Sequence, residues 1–244
     1  MLRFDVDDVK EFSSLISATE EYVPELRIDA DDDGLRFVAL NQSHVVFVSC
    51  TIQKEYFSVY ECNEPTTFMV DTQELKKALQ RIKGSGTLTC SLNDDSFKLH
   101  YASDMGSKTF KINLISDYYD APNPPSIPYT IDTVVPFDEF KEYVGDASMY
   151  NDAIAFNFDK DVLSISTGND YAEYEGKVVL STPCEPAKVV VSGEYLQTFL
   201  KLSFNDELQV ETGADMPLCA GLTSLDKTLH YKVLVAPRLD NTDD

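Results

Sequence analysis

Asp29, Asp31 and Asp33 stand two residues apart ahead of Gly34, the spacing at which the first half of an EF-hand loop offers oxygens from positions one, three and five and a glycine at six. The chemistry would be calcium binding. The twelfth position, where a bidentate Glu must close the shell, is Leu40, and strand-like patterns flank the loop, so the segment reads as an acidic hairpin turn. No two of His44, His100 and His230 are three or four residues apart, which leaves no helical metal face. Gly84-Ser85-Gly86 lacks both the G-x-S-x-G elbow and the Gly-rich phosphate loop and reads as a turn. The 42 acidic residues could include an acid/base pair, but such a pair needs a shared cleft, and the sequence singles none out. A carboxylate-dependent hydrolase therefore stays as an alternative without positive support, beside a β-rich adhesive module. No metal or cofactor is expected.

The basic residues are more telling. A formal charge of -22 argues against a DNA-binding domain with a broad basic face, so any DNA contact must be local or topological. Lys10, Lys76, Lys77, Arg81, Lys83, Lys141 and Lys201, seven of the 20 Lys and Arg, nevertheless lie on or beside four short helix patterns. Taken alone, they also fit solvated helix faces offset by Asp7, Asp8, Glu11, Glu74 and Glu142.

Those helices are read from spacings of three and four: Val9, Phe12, Leu15, Ile16; Leu75, Ala78, Leu79, Ile82; Phe137, Phe140, Tyr143, Val144; and Leu196, Phe199, Leu200. Asp71 with Glu74 caps the second, Ser192 the fourth, and Pro136 suits the start of the third. Strands are expected at 26–29, 35–39, 45–52, 87–92, 97–101, 110–115, 153–158, 162–166, 176–180, 208–211 and 229–235. Turns at Asp31-Asp32-Asp33-Gly34, Asn93-Asp94-Asp95-Ser96 and Asp159-Lys160-Asp161 separate them.

The segment from Asp117 to Tyr129 holds four of the eleven prolines and reads as an extended connector. The halves around it look alike: Leu75 and Leu79 match Leu196 and Leu200 at one offset, 196 − 75 = 200 − 79 = 121. The expectation is α+β, with a duplicated domain of antiparallel sheets carrying two helices on one face. The boundaries are 1–116, a connector at 117–129, and 130–244. No apolar run approaches the roughly 18 to 20 residues that cross a bilayer, and Met1-Leu2-Arg3-Phe4-Asp5 does not look like a secretory signal. The widely spaced Cys50, Cys62, Cys90, Cys184 and Cys219, with no C-x-x-C pair, read as reduced residues of an intracellular protein.

Two segments carry a family resemblance. The tail Leu229-His230-Tyr231-Lys232-Val233-Leu234-Val235-Ala236-Pro237-Arg238-Leu239-Asp240 and the run from Gly34 to Val48, continued by Phe57-x-x-Tyr60-x-Cys62, resemble the signatures of DNA sliding clamps of the proliferating cell nuclear antigen (PCNA) family. The resemblance spans nearly the whole chain and looks archaeal in its length and short tail. Asn41 stands where the family usually has Asp, and the first helix has one lysine beside Asp7-Asp8 where many relatives are lysine-rich.

The resemblance implies a non-enzymatic processivity factor for DNA replication and repair, in the cytoplasm if archaeal and the nucleus if eukaryotic. It implies a homotrimeric ring of three two-domain chains around duplex DNA, with a subunit of a heterotrimeric clamp as the runner-up. The seven cations would face DNA without reading sequence. DNA polymerase, flap endonuclease, DNA ligase and a clamp loader are the implied partners. Their short peptides would dock at Leu40, His44, Val45, Ile127, Tyr129, Pro217, Leu234, Ala236 and Pro237, for which ordinary core is the alternative. Phe110, Ile112 and Leu114 of one chain would meet Val178 and Leu180 of the next in an antiparallel strand pair.

Overall fold

The computed structural model describes residues 1–116, 119–202 and 204–238. Asp117 and Tyr118 of the expected connector, Ser203, and the tail from Leu239, including the end of the second signature, lie outside the described residues. Four helices form where the apolar stripes place them: α1 (Val9–Glu20), α2 (Thr72–Gln80), α3 (Phe137–Ser148) and α4 (Gly193–Phe199). Each buries its stripe, as with Phe12, Leu15 and Ile16 in α1 or Phe137, Phe140 and Val144 in α3. The Asp71 carboxylate accepts from the Glu74 amide at 2.9 Å, and Asp8 does the same for Glu11 at 2.8 Å, satisfying amides that a helix start leaves open.

The α4 cap differs from expectation. Ser192 makes no capping bond to the helix. Asp152 does so from outside it: Oδ1 accepts from the Glu194 amide at 2.9 Å, while Oδ2 accepts from the Ser192 hydroxyl at 2.7 Å and from Arg238 at 2.8 Å. A charged acceptor forms the stronger bond, and the Ser192 hydroxyl becomes a donor to it.

The chain divides into two compact units. One comprises Met1–Gln42, Val48–Asn123 and Ser224–Tyr231, the other Ser43–Phe47, Pro124–Thr223 and the chain from Lys232. In the first, β1 (Leu2–Val6), β5 (Val59–Cys62), β7 (Thr87–Leu92), β8 (Ser96–Ser103) and β9 (Gly106–Asn113) form an antiparallel sheet in the order β5-β1-β7-β8-β9. Period-two alternation sets its register: Phe4 lies opposite Cys90, Cys90 opposite Leu99, and Leu99 opposite Phe110. This inward row meets α1 where the Phe4 ring packs 6.3 Å from Phe12 and 6.2 Å from Phe97. The first unit also holds β2 (Glu25–Asp31), β3 (Gly34–Leu40), β6 (Thr66–Asp71) and most of β4 (Val46–Gln53). Asp31 and Gly34 close the β2–β3 turn, with the Asp33 amide donating to Asp31 Oδ1 at 2.9 Å. Gly34 has φ 142°, and a Cβ there would come within 2.1 Å of the Ile52 carbonyl oxygen, so no larger residue fits the close approach.

In the second unit β10 (Ile131–Pro136), β13 (Glu207–Thr212) and β14 (Leu218–Thr223) follow one another in a sheet that β15 (Leu229–Val235) continues. A long ribbon pairs β11 (Ala153–Gly168) with β12 (Glu173–Ser192). Phe140 of α3 packs on Phe156 of β11 at 5.8 Å, and Phe137 on Phe199 at 6.2 Å. The expected turn at Asp159-Lys160-Asp161 is not a hairpin. β11 runs through it with register shifts on either side of Lys160, whose φ of 53° absorbs the irregularity as a bulge. The longer β12, 20 residues against the 16 of β11, supplies ladder partners on both sides of the break.

Candidate DNA-facing helices, docking face and strand edges

Lys10, Lys77, Arg81, Lys83, Lys141 and Lys201 are exposed. Lys76 is not. Its ammonium lies 2.6 Å from Glu20 Oε2 and 3.6 Å from Glu21 Oε1, with 23% of the side chain exposed. The bond to Glu20 raises its pKa above 10.5, against the opposing effect of burial. Lys77 bonds its own helix, through Glu74 at 2.8 Å and Gln73 at 3.1 Å, while remaining more than half exposed. Lys141 sits 6.0 Å from the Phe137 ring centroid, on a helix whose exposed residues also include Asp138, Glu139 and Glu142.

Positive charge is therefore concentrated at one corner of the first unit. A groove between the end of α2 and β9 is lined by Lys77, Arg81, Lys83, Lys108 and Phe110. The Lys108 ammonium donates to the Arg81 carbonyl at 2.9 Å, completing an open helix end. Lys108 and Lys111 were missed as members of this patch because they lie on a strand. The sequence signal was available: from Met105 to Ser116 an otherwise acidic chain has no Asp or Glu.

All nine proposed docking residues escape full burial, unlike ordinary core. Leu40, in the first unit, is half-buried. In the second unit Leu234 is half-buried between Val233 and Val235, which are 0% and 1% exposed, so strand alternation turns Leu234 outward. The Ala236 amide donates to the Val45 carbonyl at 2.8 Å, holding the tail beside Val45. His44 is exposed with φ 59°. Ile127, Tyr129, Pro217, Ala236 and Pro237 are half-buried, and the Thr130 amide donates to Thr212 at 3.0 Å, fixing the chain after Tyr129. On the same strand face as Leu234, Lys232 pairs with Glu211 at 2.8 Å, and the Cys219 thiol, pushed up to about 12 chiefly by burial, is 3.5 Å from the same Glu211 oxygen.

The residues expected at the edge strands are Phe110, Ile112, Leu114, Val178 and Leu180, and the single chain already buries three of them, Ile112, Val178 and Leu180. They are 6%, 3% and 6% exposed, inside their own units. Phe110 and Leu114 are half-buried. What the edges offer outward is backbone and the intervening charged residues, because alternation sends every second side chain into the sheet's own core.

Two α+β units, each with a pair of packed helices, together with a cationic helix end and open strand edges, define the DNA-clamp fold. PCNA from Thermococcus kodakaraensis superposes with a TM-score of 0.90 at 23% identity, covering 98% of this chain and all of that one. PCNA from A. fulgidus, solved with the C-terminal region of FEN-1 bound, gives a TM-score of 0.90 at 21% identity, covering 99% and 100%. The family model for the proliferating cell nuclear antigen N-terminal domain matches residues 1–117. The DNA polymerase sliding clamp of Methanothermobacter thermautotrophicus is 29% identical over 242 residues, 98% of this chain and 99% of that protein. Over nearly its whole length the chain is similar to sliding clamps of the PCNA family.

Proposed function

We propose that this chain is a DNA polymerase sliding clamp: three copies close a ring around duplex DNA and tether replication and repair enzymes to it without catalysing a reaction. The full-length likeness to a protein named as such a clamp carries the reading. The charge distribution supports it, since exposed Lys77, Arg81 and Lys83 gather at one helix end of a chain with formal charge -22. Phosphates would meet that local positive field while the remaining surface repels DNA lying outside the ring. Contacts limited to phosphate carry no base information and let the ring slide. DNA polymerase, flap endonuclease and DNA ligase would dock through an apolar-aromatic plug on the face formed by Val45, Ile127, Tyr129, Leu234 and Pro237, after a clamp loader has opened the ring. In this reading the protein works in the cytoplasm of an archaeal cell; no described helix is long and apolar enough to cross a membrane.

The test is topological. Rings placed by a loader on closed circular DNA should be retained through gel filtration and lost when the circle is cut once. Equal retention on cut and closed DNA overturns the reading.

A further inference from the structure

The chain leaves β15 at Val235 and is held on both sides of Pro237, a residue with no N–H of its own. The Ala236 amide donates to the Val45 carbonyl at 2.8 Å, and the Arg238 amide to the Val190 carbonyl at 2.7 Å. The Arg238 guanidinium donates to Asp152 Oδ2 at 2.8 Å. All of these residues belong to the second unit. Ala236 and Pro237 are docking residues in the reading above, so the two Arg238 bonds help to set where that side of the docking face lies.

Asp152 is fixed independently of the tail. It stands one residue ahead of the Ala153–Ser192 ladder pair, and its carbonyl accepts from the Gly193 amide at 2.8 Å. Gly193 permits that approach, since a Cβ there would come within 2.6 Å of Ile154 Cδ1. Both carboxylate oxygens are also engaged: Oδ1 accepts from the Glu194 amide at 2.9 Å and Oδ2 from the Ser192 hydroxyl at 2.7 Å. A surface ion pair ordinarily adds little, because two long side chains must be ordered and water and salt screen the charges. Arg238 and Asp152 are 48% and 45% exposed, so screening applies here too. The ordering cost, however, falls on Arg238 alone, because three bonds already orient Asp152.

One carboxylate thus serves both the tail and the first turn of α4, the helix that leads to Lys201. We propose that Asp152 is a positioning residue for peptide docking: it sets Pro237 through Arg238 and links the docking face to the start of α4. This rests on the docking reading above and adds the contact that shapes one side of the face. Losing Arg238 leaves the carboxylate freer to turn away from Glu194. By linkage, a bound peptide that steadies the tail must steady the first turn of α4 in the same measure.

Calorimetry of the full chain tests this, with a synthetic peptide of the FEN-1 C-terminal region, the ligand on A. fulgidus PCNA. Arg238→Met should weaken binding about threefold, the scale of one exposed ion pair. Asp152→Asn should weaken it by a similar factor, while its amide oxygen still accepts from Glu194, so that thermal unfolding moves little. The double variant should bind no more weakly than either single one, because both changes break the same contact. Hydrogen exchange at the Glu194 amide should slow about twofold when the peptide binds wild type, and should not respond in Arg238→Met. An Arg238→Met chain that binds as tightly as wild type, or a double variant in which the two losses add, overturns the inference. A wild-type chain that does not take the peptide overturns the docking reading itself, and this inference with it.

Discussion

Lys76 of α2 reaches Glu20 at the end of α1 with 2.6 Å between ammonium and carboxylate, and so ties the two helices of the first unit together. A lysine counted among the DNA-facing cations by its position on the helix is thus already neutralised. Lys77, the next residue, is the exposed one.

Lys76→Met should lower the stability of the chain by about 1 kcal/mol, the scale of a partly exposed ion pair, as read by denaturant unfolding. The salt dependence of DNA contact should barely change. Lys77→Met should do the reverse, reducing the salt slope by about one counterion with little loss of stability. A larger slope change for Lys76 than for Lys77 would return Lys76 to the DNA.

Ile112→Asp should unfold the first unit instead of merely separating chains, because the carboxylate would enter that unit's own core at a cost of about 3 kcal/mol or more. Circular dichroism on the variant at low concentration separates the outcomes. A folded, monomeric Ile112→Asp chain would mean that the side chain serves the interface.

Asp152→Ala should cost about 1 to 2 kcal/mol, since it removes the acceptor for the Glu194 amide and the partner of Arg238 together. Ser192→Ala should cost less, because Ser192 only donates to that carboxylate. Urea midpoints for the two variants give the comparison.

Glu11 is half-buried on α1, and burial raises its pKa above the ordinary 4.5, opposed by the Tyr56 hydroxyl and reinforced by Asp8 and Asp226. Between 4.5 and the raised value the folded chain binds more protons than the unfolded one. Stability from this group therefore falls as pH rises through that window and stays level above it. Glu11→Gln should flatten this part of the stability-pH profile and raise stability at neutral pH. A profile unchanged in the variant would show that other groups set the slope.

The sequence by itself determined the four helices, the duplication and most strands, because local periodicity reports which side of an element is buried. It also carried the family resemblance, through segments such as Leu229-His230-Tyr231-Lys232-Val233-Leu234, in which alternation alone already turns Leu234 outward. Tertiary structure decided what depends on groups distant in sequence. Asp152 takes the cap of α4 from Ser192 across forty residues, Glu20 neutralises Lys76 across fifty-six, and β11 passes through Asp159-Lys160-Asp161 because β12 is long enough to pair on both sides. The charge of a lysine can be read from sequence, but whether that charge remains available depends on the carboxylates that folding brings within a few ångströms of it.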